Sequence, residues 1–485
     1  GSATGTLNVN AGGTFTQGAG AVVLGNFGQV NLTANGSIAF SSVGSLDAGS
    51  ASVSLAAPAL LVEGGSTQSL TTTGAVTIAA LSGTSPPPGV GGALTVTAAG
   101  ITDSGTILAP SGNITLTATS GNVELDGGAL ISASGTVVTV LDQVEYAPGG
   151  RVALTSNNGN VTINPGATVD VSAVGNGFAG SVIINASNGQ AVLNGSLLGL
   201  AGFKDAGGNF VLNANSLVGA LPFSGFSGSF TVALQTGNID VPSGTTLSSG
   251  LVNLTANNGS VTVEGAIDAS GLSGGSIALF GATGVTINSN AVLNASYQGI
   301  TDPLDPGYAN GASTLTQNGG TITLGVTGTP TGNYDPTFGY ETVASSGAIN
   351  VAAGATLNVS GGPGTTSVFS NGGAISNDAG TIILRAPILT SGNVNVGFHG
   401  NVIASGSAGP NSGVALNAYA VWSTSDDANQ TGLAEHFDGI IDPAGRFDSS
   451  GSLLPGGSVT ADIFTPGSVN QDHVGFYQGT LVNFV

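Results

Sequence analysis

Apolar residues alternate with small polar residues in short runs along most of the chain, and each run ends at a glycine or an asparagine. The pattern is clearest at residues 154–163 (LTSNNGNVTI) and returns almost unchanged at residues 254–263 (LTANNGSVTV). A period of two is typical of a strand with one buried face, and Asn-Gly suits a tight turn. Each phrase therefore predicts a strand, a turn and a second strand.

The strands recur at short, regular intervals. Val152, Val161 and Val169 begin successive strands eight or nine residues apart, and Phe210 and Phe230 are 20 residues apart. Three strands thus make one repeat, and repeats of this length are typical of a solenoid. Sandwich domains would repeat near 100 residues, and no stretch has helical spacing. The sequence predicts an all-β fold, a three-sided parallel β-helix, with about 20 coils stacked over roughly 100 Å.

Interruptions of the repeat predict loops on the flank of this solenoid. They lie near residues 84–92, 142–150, 300–318 and 329–345. The last two carry Tyr308, Tyr334, Phe338 and Tyr340. These side chains are candidates for binding a glycan, because aromatic faces stack on sugar rings, but they suit equally well a role in covering the apolar end of an insertion.

The regular strands stop near residue 415. We expect residues 1–415 to form the β-helix and residues 416–485 to form an irregular C-terminal segment that wraps or caps it. This segment holds the single tryptophan, Trp422, and eight of the 25 acidic residues lie between positions 426 and 472.

The charge, the apolar content and the cysteine content of the chain argue against several classes of partner and chemistry. Lys and Arg total 4 against 25 Asp and Glu, so the net charge of −21 argues against nucleic acid and anionic membranes as partners. No run approaches the roughly 18 apolar residues of a membrane span, so no membrane insertion is expected. Without cysteine there is no disulfide and no thiolate chemistry.

Acidic side chains offer the remaining chemistry. Glu124 and Asp126 share one strand face, and Asp240 with Asp268 could form a second pair if stacking aligned them, as glycoside hydrolysis requires. The basic residues Arg151, Lys204, Arg385 and Arg446 are scattered along the chain. We therefore predict solvated strand faces and no enzyme, with a polysaccharide-active β-helix as an alternative.

A calcium site is possible but is not predicted, and no cofactor is expected. Asp302 and Asp305 lie on a Pro/Gly loop, and Asp438 and Asp442 follow His436 in the C-terminal segment. Carboxylate oxygens suit Ca²⁺, yet the spacing matches no calcium-loop pattern, and Asp-Pro and Asp-Gly serve commonly as turns.

Asparagines in the turns have a structural interpretation. Asn113, Asn160, Asn253 and Asn258 each begin an Asn-x-Ser/Thr triplet, which a chain so rich in these residues produces by composition. We predict instead that turn asparagines stack and that their side-chain amides form hydrogen bonds from coil to coil.

Four segments near the C-terminus resemble a block found in large bacterial exoproteins of the filamentous-haemagglutinin type. They are residues 380–387 (GTIILRAP), 418–424 (AYAVWST), 436–445 (HFDGIIDPAG) and 473–484 (HVGFYQGTLVNF). The resemblance covers roughly the last hundred residues and implies a right-handed parallel β-helix, exported by two-partner secretion through an outer-membrane pore. The family's N-terminal secretion domain and a toxin-like C-terminus are not recognisable, so the chain reads as an excerpt from the shaft.

The expected function is therefore that of a rigid, non-enzymatic shaft at the cell surface or in the extracellular matrix, as in adhesins and biofilm components. Its partners would be a surface glycan or protein, or further copies of itself joined end to end. The main alternative is a self-assembling extracellular filament without a receptor.

Overall fold

The computed structural model describes residues 4–271, 274–299, 317–328, 334–335, 340–341, 346–363, 377–387, 395–406, 413–419, 421–422 and 480–484. The chain forms two compact units, of which unit 1 extends to Leu234 and unit 2 begins at Gln235. Within these ranges the only helical element is a 3-10 turn at Lys204–Ala206. The predicted all-β class is confirmed.

The strands of unit 1 are, in chain order, β1 (Gly5–Ala11), β2 (Thr14–Gln17), β3 (Gly20–Val23), β4 (Phe27–Ala34), β5 (Ser37–Phe40), β6 (Val43–Asp47), β7 (Ser52–Ala57), β8 (Leu60–Val62), β9 (Thr67–Thr71), β10 (Val76–Ala80), β11 (Ala93–Ala98), β12 (Ile101–Ser104), β13 (Thr106–Leu108), β14 (Asn113–Ala118), β15 (Val123–Leu125), β16 (Leu130–Ser132), β17 (Thr136–Val140), β18 (Gln143–Ala147), β19 (Arg151–Ser156), β20 (Val161–Ile163), β21 (Thr168–Asp170), β22 (Ser181–Leu193), β23 (Ser196–Leu198), β24 (Asn209–Gly219) and β25 (Ser229–Leu234).

The strands of unit 2 are β26 (Ile239–Val241), β27 (Thr246–Ser248), β28 (Leu251–Ala256), β29 (Ser260–Val263), β30 (Ala266–Asp268), β31 (Ser276–Gly281), β32 (Gly284–Ile287), β33 (Val292–Asn294), β34 (Thr321–Val326), β35 (Tyr334–Asp335), β36 (Tyr340–Glu341), β37 (Ala348–Val351), β38 (Thr356–Asn358), β39 (Thr381–Pro387), β40 (Val396–Phe398), β41 (Asn401–Ile403), β42 (Gly413–Tyr419), β43 (Val421–Trp422) and β44 (Thr480–Phe484).

Parallel pairing arranges unit 1 in three ladders, which successive strands join in turn. The first ladder is β1–β4–β7–β10–β12–β15–β20–β22–β24. The second is β2–β5–β8–β13–β16–β21–β23. The third is β3–β6–β9–β11–β14–β19–β22–β24–β25. Strands β22 and β24 each belong to two ladders, because they pass a corner without a break.

Unit 2 repeats this order. Its ladders are β26–β29–β32–β37–β40, β27–β30–β33–β38–β41 and β28–β31–β34–β39–β42–β44. The long parallel sheets predicted from the repeat are thus confirmed, and they are consistent with a solenoid in each unit.

The alternation of the sequence buries one side chain of every two, and the register stacks the buried ones. On the third ladder of unit 1 the pairing places Val152 next to Val182, Val182 next to Phe210, and Phe210 next to Phe230. All four are fully buried, and the rings of Phe210 and Phe230 lie 5.0 Å apart. Burial of such columns is the main favourable term for a fold of this kind.

Two interruptions of unit 1 fall where the sequence predicts loops. The strand β13 pairs directly with β8, because residues 81–92 contain no strand, in agreement with the loop predicted near 84–92. The second interruption begins earlier than residue 142, since β17 and β18 form an antiparallel hairpin that leaves the ladders at Thr136. The loops predicted near 300–318 and 329–345 lie mostly outside the described residues.

Asparagine side chains connect the turns of successive coils, as predicted. The Asn160 backbone N–H donates to Oδ1 of Asn122 at 2.9 Å, and the Gln190 N–H donates to Oδ1 of Asn160 at 2.8 Å. Asn258 also connects two coils in unit 2, where its side chain is the donor: Nδ2 donates to the carbonyl of Gln235 at 2.8 Å.

Asn253 differs from Asn160 and Asn258. Its Oδ1 accepts a hydrogen bond from the hydroxyl of Thr255 on its own strand. The prediction of coil-to-coil bonds therefore holds for asparagines in turns and fails for this asparagine within a strand.

Candidate functional site

The predicted aromatic patch belongs to unit 2, and part of it is described. Tyr308 and Phe338 lie outside the described residues. Tyr334 is in β35 and Tyr340 is in β36, which pair antiparallel. Strand β36 also pairs with β43, and that register places Tyr340 opposite Trp422. The backbone therefore gathers three aromatic residues from two distant segments into one small sheet.

All four residues considered as metal ligands, Asp302, Asp305, Asp438 and Asp442, lie outside the described residues, so the calcium site remains untested. Within the part of the chain that is described, no group of three or more His, Asp and Glu residues is placed to hold a metal ion. In the same ranges, no helix is both long enough and apolar enough to cross a membrane.

The carboxylate pair Glu124 and Asp126 meets at a corner of unit 1. Nδ2 of Asn164, one coil away, donates to Oε1 of Glu124 and to Oδ1 of Asp126, at 3.2 Å in each case. Both acidic side chains are half-buried. This arrangement gives the pair a structural role, because a single neutral amide links the two carboxylates to the next coil.

The second carboxylate pair is not brought together by the register. Asp240 lies on β26 opposite Thr262, whereas Asp268 lies on β30, in a different ladder, opposite Asn294. Oδ1 of Asp268 accepts hydrogen bonds from the Ser270 hydroxyl at 2.7 Å and from Nδ2 of Asn294 at 3.0 Å. Stacking therefore does not align Asp240 with Asp268.

Asp103 is an acidic side chain inside the core. It lies on β12 between Ile78 and Leu125 of the adjacent coils, and it is fully buried. Its Oδ1 accepts a hydrogen bond from the Gly105 N–H at 2.8 Å, while its Oδ2 is buried without a partner. Burial raises the pKa of Asp103 to about 6, the Gly105 bond acts in the opposite direction, and the charge of Asp126 adds to the increase.

The β17–β18 hairpin carries the largest concentration of exposed apolar side chains in unit 1. Leu141 at its tip is 95 % exposed, and Val137, Val144 and Tyr146 are exposed as well. A side chain at Gly175 would overlap the ring of Tyr146, so this ring lies directly on the backbone of the loop that contains Gly175. Large exposed apolar patches often mark interaction sites.

Asp103 and the β17–β18 hairpin are not among the predicted features, although the sequence contains a signal for each. Asp103 follows Ile101 by two residues, so the alternation of β12 places both on the buried face. The hairpin has two runs rich in β-branched and aromatic residues, 136–140 and 143–147, separated by two residues, which is the spacing of a β-hairpin.

Comparison with known proteins adds no identification. No protein family, no curated protein and no solved structure matches the chain.

Proposed function

We propose that this chain is a segment of a secreted bacterial exoprotein of the filamentous-haemagglutinin type, and that it acts as a rigid, non-enzymatic shaft outside the cell. Its units would be right-handed, three-sided parallel β-helices. The C-terminal resemblance motivates the family, the handedness and the export through an outer-membrane pore.

The observation that carries the proposal is the double connection between coils. Each strand of the ladders bonds to its equivalent in the next coil through the backbone, and the turns add bonds from side chains such as Asn122 and Asn160. A stack in which every coil is bonded to its neighbours at the strands and at the corners resists bending, and stiffness is what a shaft requires.

Composition supports an extracellular location. The chain has no cysteine, and its net charge of −21 opposes unspecific association between shafts. Gly, Asn, Ser and Thr dominate the exposed positions of the turns, so the surface is polar although only 6 % of residues are charged. Binding to a surface glycan or protein would then be multivalent, through loops such as the one that contains Tyr334 and Tyr340.

Electron microscopy of the purified chain at two protein concentrations tests the shaft. We expect isolated rods on the order of 100 Å at both concentrations. Fibres that lengthen with concentration would favour a self-assembling structural filament. Compact globules would overturn the β-helical shaft.

The location needs a separate measurement. An antibody raised against the chain is expected to label intact bacteria that express the full-length protein, without permeabilisation. Labelling that requires permeabilised cells would contradict an extracellular role, whatever the shape seen by microscopy.

A further inference from the structure

The β17–β18 hairpin stands apart from the ladders of unit 1. Its two strands pair with each other from Thr136–Ala147 to Val140–Gln143. Among the described residues, no backbone hydrogen bond joins the outer edge of either strand to another element. The loop that contains Gly177 lies against Tyr146 at the base of the hairpin, so the open part of the β18 edge is at residues 143–145. An edge of this kind can accept an additional strand.

The tip of the hairpin departs from the usual turn chemistry. Leu141 has a φ of 59°, in the left-handed region that favours glycine and asparagine, and its side chain is 95 % exposed. Glycine would adopt this conformation more easily, and no burial of the leucine compensates for its cost. A branched apolar residue that is strained and exposed indicates a role outside the folding of the unit.

The register places the apolar side chains of β18 and its carboxylate on opposite faces of the hairpin. Val137 is opposite Tyr146 and Thr139 is opposite Val144, so these four residues share one face. Val144 is 55 % exposed and Val137 is 47 % exposed. Glu145 is paired with Val138 and lies on the other face. Strand β18 therefore offers apolar side chains on one face and a carboxylate on the other.

Further exposed apolar side chains lie near the base of the hairpin. The Gly149 N–H donates to the carbonyl of Phe178 at this base, and the Ala173 N–H donates to the carbonyl of Leu200 one coil further on. Phe178 is 50 % exposed and Leu200 is 57 % exposed. The exposed aliphatic groups have no hydrogen-bonding capacity toward sugar hydroxyls, which favours a protein partner over a glycan.

Charge selects among protein partners. Residues 136–147 contain Asp142 and Glu145 and no Lys or Arg, within a chain of net charge −21. A second copy that paired at the same edge would bring acidic strands together, and like charges on adjacent strands are unfavourable. A basic residue opposite Glu145 would be favourable.

We propose that the outer edge of β18 is a docking site for an extended segment of a partner protein, which adds one strand and alternates aliphatic with basic residues. The aliphatic side chains would extend the face of Val144 and Tyr146, and the basic ones would lie beside Glu145. This interaction goes beyond the shaft function and does not depend on it.

Binding of a synthetic peptide tests the proposal. The probe is a nine-residue peptide of alternating valine and lysine, blocked at both ends, titrated into the full chain by calorimetry. Its control has the same sequence but is N-methylated at every residue, which keeps the charge and removes the backbone donors of both strand edges. We expect the unmodified peptide to bind at least about tenfold more tightly, and amide hydrogen exchange to slow within 143–147.

Matched variants locate the site. Val144→Thr and Glu145→Gln are each expected to weaken peptide binding about fivefold to tenfold, whereas Val218→Thr, at a valine that is 44 % exposed elsewhere in unit 1, should leave binding unchanged. All three positions are exposed, so folding should persist, and circular dichroism verifies it.

Four outcomes would overturn the proposal. They are equal binding of the methylated peptide, no binding at millimolar peptide, equal effects of Val144→Thr and Val218→Thr, and a dimer without peptide that Val144→Thr abolishes. The last outcome would assign the edge to a second copy of the chain. All of these measurements use the soluble chain, so they remain informative even if microscopy or antibody labelling contradicts the shaft.

Discussion

Asp103 shows how one residue can make the stability of a unit depend on pH. Its pKa rises from 3.8 to about 6 on folding, because its carboxyl group is buried between Ile78 and Leu125. Between these two values the folded chain holds a proton that the unfolded chain releases. The stability of unit 1 must therefore fall as the pH rises through this window, and the full difference corresponds to about 3 kcal/mol.

The substitution Asp103→Asn isolates this contribution. We expect the variant to gain stability over the wild type at pH 7 and to lose most of that advantage near pH 4, with a change of about 2 kcal/mol between the two conditions. Asparagine retains the acceptor for the Gly105 N–H and cannot ionise. Urea unfolding followed by circular dichroism at both pH values measures the difference.

A matched control exists in the same unit. Oδ1 of Asp47 accepts a hydrogen bond from the Gly49 N–H at 2.9 Å, the same local turn as at Asp103, but Asp47 is exposed. Asp47→Asn should therefore change stability little at either pH. If Asp103→Asn behaved like Asp47→Asn, the carboxyl group of Asp103 would not be the source of the pH dependence.

The turn asparagines act at the scale of the element. Oδ1 of Asn160 accepts the Gln190 N–H, and Asn160→Ala removes this acceptor. Because water can reach this corner, we expect a loss of about 1 kcal/mol of unfolding free energy, while Asn160→Asp, which keeps an acceptor, should lose less. Chemical unfolding of the full chain measures both.

Asn113 provides the comparison. It also begins an Asn-x-Thr triplet, but it is exposed on β14 and the structure shows no side-chain hydrogen bond for it. Asn113→Ala should be close to neutral. Equal losses at Asn113 and Asn160 would mean that the coil-to-coil bond adds nothing measurable.

Glycines at one corner set how closely the coils approach. A methyl group at Gly180 would overlap the carbonyl oxygen of Gly150, and one at Gly150 would overlap that of Gly112. Gly180 is not among the residues with positive φ, so it is required for space and not for conformation. We expect Gly180→Ala to destabilise unit 1 by about 1–3 kcal/mol. Faster hydrogen exchange in β19 and β22 would be the local readout.

Gly12 tests the steric explanation. It also lacks a positive φ, and nothing lies within 4 Å of the position that its Cβ would occupy. Gly12→Ala should leave exchange in the neighbouring strands unchanged. A similar acceleration for Gly12→Ala and Gly180→Ala would refute crowding as the cause.

Sequence patterns predict the repeating elements well and the exceptions poorly. Residues 154–163 and 254–263 each contribute to two strands separated by a turn, and Phe210 pairs with Phe230, because period-two alternation determines which face is buried. The β17–β18 hairpin shares that alternation. Its two-residue turn is typical of a hairpin, but β4 and β5 are also separated by two residues and lie in different ladders, so this spacing alone does not reveal the antiparallel pairing.

The same limit applies to the candidate sites. Asp103 is a residue type that usually forms turns or faces water, and only its position in the alternation reveals that it is buried. The sequence predicts Tyr334 and Tyr340 as loop residues, but the register that places Tyr340 opposite Trp422 depends on pairing between distant segments. Local propensity carries no information about such contacts.

At the scale of the whole molecule, the dominant electrostatic feature is repulsion. The 25 acidic residues face only 4 basic ones, so most carboxylates have no cation to pair with, and the net charge of −21 disfavours the folded chain. Salt screens this repulsion over about 10 Å at 0.1 M.

We therefore expect the melting temperature at pH 7 to rise by a few degrees between about 10 mM and about 300 mM NaCl, as measured by circular dichroism. The increase should be the same in KCl and should shrink near pH 4, where carboxyl groups begin to lose their charge. A melting temperature that fell with added salt would show that attractive ion pairs outweigh the repulsion, against the balance of charges in the sequence.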